Sequence, residues 1–154
     1  MSDFKLNIDI PLDQDGFIEM ECDFCKERFM LHKDVYQDEK YLHFFCPICG
    51  LPNNINTFYC PEVLEKAGQI ASNYMMTEVD KMLKYAFKGF RTSKKSGITI
   101  SVDIPEQEKP REIYEHNNIY DIDDKKCCKV LVKISSFSKM IGTYCPICGV
   151  QKDE

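Results

Sequence analysis

GFIEMECDFCKERFM (residues 16–30) and YLHFFCPICGLP (residues 41–52) each contain a Cys-x-x-Cys pair. Twenty residues separate the two pairs, a spacing typical of the two knuckles of a zinc site. Two intervening residues let a tight turn direct both thiolates at one point, and zinc takes four ligands tetrahedrally. The predicted ligands of one zinc ion are Cys22, Cys25, Cys46 and Cys49. Because four thiolates close the coordination sphere, we expect this zinc to be structural rather than catalytic.

Two other interpretations of these cysteines are weaker. They could be core thiols without a metal, but two correctly spaced pairs rarely coincide. One pair could be redox-active, but a thioredoxin-like pair requires a βαβ context that the sequence around it lacks. The flanking segments FIEME (17–21) and KYLHFF (40–45) are rich in aromatic and branched residues, and they predict short strands.

Residues 17–50 resemble the zinc ribbons of transcription-factor and RNA-polymerase-subunit families, which carry the same CxxC and CPxCG knuckles. The resemblance covers this segment and its echo at residues 127–149. It implies zinc-ribbon β-hairpins and bound zinc. It does not imply a role in transcription, because zinc ribbons serve many functions.

The composition indicates a folded chain in a reducing compartment. The 154 residues include nine cysteines and have a net charge of −5. The N-terminus has no basic start followed by an apolar run, and no apolar run approaches the roughly 20 residues that span a bilayer. We therefore expect a cytoplasmic location without membrane contact, where cysteines bind metal rather than form disulfides.

The second of these two knuckles is repeated near the C-terminus. Residues 145–149 read CPICG, identical to residues 46–50, and NIDIP (7–11) is matched by SVDIP (101–105). We interpret the matches as a degenerate duplication. The alternative is that CPICG is a common knuckle sequence and that the second match is chance.

The second copy lacks an upstream CxxC, because its cysteines Cys127 and Cys128 are adjacent. Neighbours on a regular strand point to opposite faces, so both can bind one ion only at a turn or bulge. Three arrangements compete: both bind zinc with Cys145 and Cys148, only one binds and His116 is the fourth ligand, or the site has lost its metal. The first is preferred and predicts two zinc ions per chain.

Three other features of the sequence also lead to structural predictions. The run KVLVKI (129–134) alternates and predicts a strand, which we expect to return as a hairpin to GTYCPICG. The acidic run Asp121, Asp123 and Asp124 is expected to be a solvated turn. The ninth cysteine, Cys60, is expected to be a small buried apolar residue.

Residues 61–90 carry the one long helical pattern. Pro61 suits the first helical position, and apolar residues recur at steps of three and four. The apolar stripe could pack against the ribbons, or it could meet a second copy or another protein. Residues 81–95, at the end of the predicted helix and just after it, contain six basic residues and no acidic residue. The basic residues are Lys81, Lys84, Lys88, Arg91, Lys94 and Lys95. They could contact phosphates, or they could form a solvated helix end that complements the helix dipole.

The predicted fold class is α+β, with zinc-ribbon hairpins at both ends joined by one long helix that sets their separation. The predicted domains are residues 1–58 for the N-terminal ribbon, 59–92 for the helix, and 93–154 for a loop and a degenerate ribbon-like unit.

No HExxH motif, glycine-rich phosphate loop or nucleophile elbow is present in the sequence. We therefore expect a non-enzymatic zinc protein that acts as an interaction adaptor or accessory subunit. Its partner would be another protein or a second copy, and no small-molecule substrate is expected. The alternative is a nucleic-acid-binding module that uses the Lys81–Lys95 segment, although the net acidity argues against it.

Overall fold

The structure, a computed structural model, describes residues 8–88, 107, 109–113 and 119–151. As predicted, it is a small α+β fold with antiparallel sheets and one long helix. The described residues form two compact units. One contains residues 9–64, 113 and 119–151, and the other contains residues 8, 65–88, 107 and 109–112. The predicted domain boundaries at residues 58 and 92 remain predictions.

The first unit is built mainly from strands. Its strands are β1 Phe17–Glu21, β2 Arg28–His32, β3 His43–Phe45, β4 Pro52–Asn54, β5 Tyr120–Lys125 and β6 Val130–Ser135. Its helical elements are α1 Lys33–Tyr36, a 3-10 turn at Ile55–Phe58, the first turn of α2 Pro61–Phe87, and α3 Ser136–Ile141. β3 and β4 form a two-stranded sheet, and the other four strands form one antiparallel sheet in the order β1-β2-β6-β5.

The two hairpins share this four-stranded sheet, because β2 pairs with β6 and Met30 lies opposite Lys133. The expectation that the helix sets the separation of two ribbons was therefore wrong. The physical reason lies in the central strands, whose inward residues are fully buried: Phe29, Leu31, Val132 and Ile134. Either hairpin alone would leave an apolar face and an unpaired edge exposed to water.

The core of this unit contains two cysteines of the first predicted zinc site. The buried cluster consists of Met20, Cys22, Phe29, Leu31, Phe44, Cys46, Phe58, Val132 and Ile134. Phe29 and Phe58 meet edge to face with centroids 5.7 Å apart. The cluster draws residues from both hairpins, so the two hairpins share one core.

The acidic run is a strand and not a solvated turn. β5 includes Asp121, Asp123 and Asp124, and it pairs along its length with β6. The hairpin partner of β6 is therefore β5, while α3 follows β6 in place of the expected return to GTYCPICG. Aspartate is depleted in strands, so the local sequence did not predict β5. The strand is stabilised by its pairing with β6 and by a buried lysine.

Ion pairs cover the outer face of the four-stranded sheet. Arg28 contacts Glu21 at 3.1 Å and Glu62, in the first turn of α2, at 2.8 Å. Lys133 contacts Asp13 and Asp15, each at 2.6 Å, and lies 4.5 Å from the centre of a phenylalanine ring. These pairs attach the α2 start and the segment before β1 to the sheet.

The second unit consists mainly of the remainder of α2. The Gln107 amide donates to Thr77 Oγ1 at 2.6 Å, and the Arg111 backbone N–H donates to Gln69 Oε1 at 2.8 Å. Another face of the helix carries exposed apolar residues at steps of four and three: Met75, Val79 and Met82. None of the helices in the described part of the chain is long and apolar enough to span a bilayer.

Candidate metal centres

The first group brings together Cys22, Cys25, Cys46 and Cys49, whose sulfur atoms all lie within 4.8 Å of one another. The Sγ atoms of Cys22 and Cys49 are 3.8 Å apart, and those of Cys25 and Cys46 are 3.7 Å apart. A tetrahedron of sulfur atoms about 2.3 Å from a zinc ion has edges of about 3.8 Å. The distances therefore fit one tetrahedral ion, and they exclude disulfides, whose S–S length is about 2.05 Å.

The CPICG knuckle directs backbone N–H groups at its first sulfur. The N–H groups of Ile48 and Cys49 donate to Cys46 Sγ at 3.4 and 3.5 Å. Burial raises the pKa of the Cys46 thiol well above its usual range. A coordinating metal deprotonates such a thiol outright, and the two N–H groups then face a thiolate whose charge they stabilise.

The second group brings together Cys127, Cys128, Cys145 and Cys148, again with all sulfur atoms within 4.8 Å. Cys127 and Cys148 have their Sγ atoms 3.6 Å apart, close to the edge of a zinc–thiolate tetrahedron. Both of these cysteines are exposed, and only Cys145 is buried. The Val150 backbone N–H lowers the pKa of Cys148 to about 7, whereas burial raises the pKa of Cys145 to about 12.

The two hairpins correspond residue by residue. Met30 and Lys133 lie opposite each other in the central strands. On the other side, Met30 pairs with Glu19 of β1 and Lys133 pairs with Ile122 of β5. The positions with positive φ also correspond, at 60° for Lys26 and 52° for Lys129. The sheet therefore has an approximate two-fold relation between its halves. The two short helices obey the same two-fold relation. The N-cap of α1 is His32, and the N-cap of α3 is Ser135, which occupies the equivalent position.

This correspondence explains the adjacent cysteines. Cys128 occupies the position of Cys25, since each directly precedes the positive-φ lysine. Lys125 occupies the position of Cys22, since Cys22 follows the Glu21–Arg28 pair and Lys125 follows the equivalent pair, Asp124–Leu131. Cys127 supplies the missing thiol from the turn, at the position of Phe24. The sequence alone did not show this replacement, because the hairpin register was unknown.

A buried polar triad accompanies the replacement. The Lys125 ammonium lies 2.7 Å from Asp123 Oδ2, and it donates to the carbonyl oxygen of Thr143 at 3.1 Å and to its hydroxyl. The Thr143 hydroxyl in turn donates to Asp123 at 2.6 Å. In the first half Met20 is equivalent to Asp123, Cys22 to Lys125 and Phe44 to Thr143. All three residues of the first half lie in the apolar core. Sequence analysis missed this triad.

The two CPICG knuckles contact each other directly. The Phe45 N–H donates to the Pro146 carbonyl, and the Tyr144 N–H donates to the Pro47 carbonyl, both at 2.8 Å. Each knuckle glycine lies against the ring of the other half, Gly50 against Tyr144 and Gly149 against Phe45. These reciprocal contacts support the interpretation of a duplication, and they connect the two cysteine groups within the first unit.

Other predicted residues lie outside the two groups. Cys60 is buried as expected, and its thiol donates to the Glu19 carbonyl at 3.5 Å. Burial raises the pKa of Cys60 to about 12. His116 and the SVDIP segment lie outside the described residues, as does Asn7 at the start of NIDIP.

The predicted basic segment is described only in part. Lys81 contacts Glu78 at 2.7 Å, and Lys84 contacts Asp80 at 2.5 Å. Lys88 is exposed just after α2. The remaining three predicted phosphate contacts, Arg91, Lys94 and Lys95, lie outside the described residues.

Comparison with known proteins adds no family to these observations. No protein family model, curated protein sequence or solved structure matches the chain.

Proposed function

We propose that this chain is a non-enzymatic zinc protein that acts as an interaction adaptor or as an accessory subunit of a larger assembly. The observation that carries the proposal is the gathering of eight of the nine cysteines into two groups of tetrahedral size. Four sulfur ligands favour zinc or iron among the metals of proteins, and zinc is the commoner structural ion. Because four thiolates leave no open position, the ions would maintain structure rather than activate a substrate.

The role in interaction is supported by a comparison of α3 with α1, its counterpart in the first half. Phe137 and Met140 of α3 are 73% and 86% exposed. Their counterparts are Asp34 and Gln37, so the fold itself does not require apolar residues at these positions. Large apolar side chains exposed to water are typical of a surface that another protein covers.

The long helix offers a second apolar surface. Met75 and Met82 are 66% and 69% exposed on the stripe that they form with Val79. Methionine side chains are flexible and polarisable, so such faces adapt well to partner helices. A protein partner or a second copy of the chain is the proposed occupant of these surfaces.

The nucleic-acid alternative is less well supported. Two lysines of the basic segment, Lys81 and Lys84, form ion pairs with acidic residues one turn earlier on the helix. The paired carboxylates reduce the local positive charge that phosphate binding requires. The chain also has a net charge of −5, which opposes non-specific association with nucleic acid.

Cobalt substitution tests the closed-site part of the proposal. We expect the cobalt protein to show the intense ligand-to-metal bands of four-thiolate coordination. Added azide, a weak ligand that does not extract the metal, should leave the spectrum unchanged, because the coordination sphere has no open position. A spectrum that changes on anion addition would indicate an open, catalytic type of site and would contradict a purely structural role.

Light scattering tests the interaction part. The variant Phe137→Asp with Met140→Gln carries the residues of the first half, so it should fold like the wild type. Met75→Glu with Met82→Glu changes the helix stripe. If a second copy is the occupant, the wild-type mass should rise with concentration and one of these variants should remain monomeric. If the wild type and both variants remain monomeric, a second copy is excluded as the occupant of these surfaces.

A further inference from the structure

The two cysteine groups differ in their access to solvent. In the first group Cys22 and Cys46 are fully buried and belong to the apolar core. In the second group two ligands, Cys127 and Cys148, are exposed. An ion bound there would therefore meet solvent on the side of those two sulfur atoms. The shell around a metal site controls access to it, and the two ions are thus expected to differ in their rates of exchange.

The difference has a specific origin in the hairpin. The first-group ligand Cys22 begins the turn from a position inside the core. In the second half Lys125 occupies that position and is itself buried by the triad with Asp123 and Thr143. The thiol has moved to Cys127 in the turn, where the equivalent residue of the first half, Phe24, is 58% exposed. This shift moves one metal–sulfur bond from the core to the surface.

The second group also retains protein contacts that do not depend on a metal. Its CPICG knuckle is closed by two backbone bonds of its own, from Gly149 N–H to the Cys145 carbonyl at 2.9 Å and from Cys145 N–H to the Val150 carbonyl at 3.0 Å. The knuckle is attached to the first one by the reciprocal bonds of Phe45 and Tyr144. Its hairpin is held by the pairing of β6 with β2. Loss of the second ion would therefore leave both pairs of ligands in place.

We infer that the second cysteine group is an exchangeable zinc site, whereas the first group retains its ion as part of the fold. Zinc would leave the second group as its four bonds to sulfur are replaced by bonds to an incoming acceptor, the freed thiolates would take protons from solvent, and no electron transfer would be involved. The acceptor is a small chelating ligand or another thiolate site that reaches Cys127 and Cys148 from solvent. Because the fold persists, zinc returns to the same four sulfur atoms. The state of this site would then reflect the availability of zinc around the protein.

The inference rests on the proposed function, because it requires zinc in both groups. The experiment is a chelator competition on the zinc-loaded full chain with 4-(2-pyridylazo)resorcinol, monitored by absorbance. We expect two phases of equal amplitude. The faster phase should exceed the slower one by about ten- to a hundredfold, the range over which changes around metal ligands alter affinity. Far-UV circular dichroism should change little during the faster phase.

Two variants assign the phases. Cys148→Ser should lose the faster phase and retain one slowly released zinc. Lys125→Cys with Cys127→Phe gives the second hairpin the ligand positions of the first, and it should slow the faster phase towards the slower one. A faster phase that persists in Cys148→Ser, or one that keeps its rate in the double variant, would overturn the inference.

Alkylation of the wild type gives an assignment that does not depend on any variant. After one equivalent of zinc has been released, N-ethylmaleimide should label Cys127 and Cys148 and spare Cys22 and Cys46, as read by mass spectrometry. Labelling of the first group at this stage, or release of both ions in a single phase, would refute the exchangeable site alone. A purified chain without zinc would refute the proposed function instead.

Discussion

The backbone N–H of Phe45 donates to the carbonyl oxygen of Pro146 across 2.8 Å and thereby joins the first CPICG knuckle to the second. The reciprocal bond, from Tyr144 to Pro47, has the same length. Together with the pairing of β2 and β6, these bonds make the first unit an internal counterpart of a two-fold dimer. In such an arrangement each half provides a control for substitutions in the other.

The knuckle glycines are predicted to be intolerant of a side chain. Gly50 and Gly149 have φ of +74° and +69°, and a Cβ would lie 2.8 Å from the Tyr144 ring or 2.6 Å from the Phe45 ring. Gly50→Ala and Gly149→Ala should each lower the free energy of unfolding by about 2 kcal/mol or more, through backbone strain and the ring clash. Chemical denaturation measures this loss.

The matched control is Gly68→Ala in α2, where no atom lies within 4 Å of the added Cβ. This substitution should stabilise the helix by about 1 kcal/mol, because alanine has the higher helix propensity. Knuckle variants as stable as the wild type would show that the two knuckles do not contact each other as described.

The buried triad is predicted to depend on all of its members. Lys125→Met removes the cation that contacts the Asp123 carboxylate at 2.7 Å, and the free energy of unfolding should fall by about 3 kcal/mol. The triple variant Asp123→Met, Lys125→Met, Thr143→Phe resembles the apolar first half and should recover most of this loss, because a packed apolar set can replace a buried ion pair. A triple variant no more stable than Lys125→Met would contradict the correspondence between the halves.

Acidity should affect the triad in a defined direction. Burial alone would raise the pKa of Asp123, but hydrogen bonds from Lys125 and Thr143 and the lysine charge hold it below its usual value. The stability that this carboxylate contributes is therefore complete above the usual aspartate range, and it is lost as the pH falls through the lowered pKa. The wild type should consequently lose stability relative to the triple variant on acidification. Denaturant titrations at several pH values would reveal a constant difference if the prediction were wrong.

The first cysteine group is predicted to be required for folding. Cys22→Ser removes a ligand inside the core and should abolish one zinc and the cooperative unfolding transition, because metal binding energy in small zinc modules is largely folding energy. Cys60→Ala removes a thiol that is also buried but lies outside both cysteine groups. This variant should retain two zinc ions. Zinc analysis and thermal denaturation distinguish the two variants. Equal behaviour of both would argue against a folding role for the metal.

The basic segment provides a direct test of the nucleic-acid alternative. If that alternative holds, charge reversal at Lys84, Lys88 and Arg91 should abolish a salt-sensitive shift of DNA or RNA. We expect the wild type itself to show no shift at low salt, given its net charge and the ion pairs of Lys81 and Lys84. A clear wild-type shift that is lost in the variant would support the nucleic-acid function.

The features predicted from the sequence are those specified by local chemistry. The CxxC spacing indicated the first group, the strand FIEME and the helix start at Pro61 followed from composition and periodicity, and the structure contains both elements at these places. The CPICG repeat indicated the second group, and the structure brings its four cysteines together.

The features missed depend on contacts between residues distant in the sequence. β5 is acidic and has weak strand propensity, so only its pairing with β6 identifies it. The union of the two hairpins depends on the register between Met30 and Lys133, which no local pattern specifies. The same register was needed to see that Lys125 replaces a ligand and that Cys127 compensates for it.

Whether zinc holds this fold together can be measured as the zinc content of the chain, purified without added metal under reducing conditions, and as its folding in a strong chelator. We predict two zinc ions per chain, and cooperative unfolding once chelation has removed both. A metal-free chain that retains its circular dichroism spectrum and its thermal transition would contradict the account.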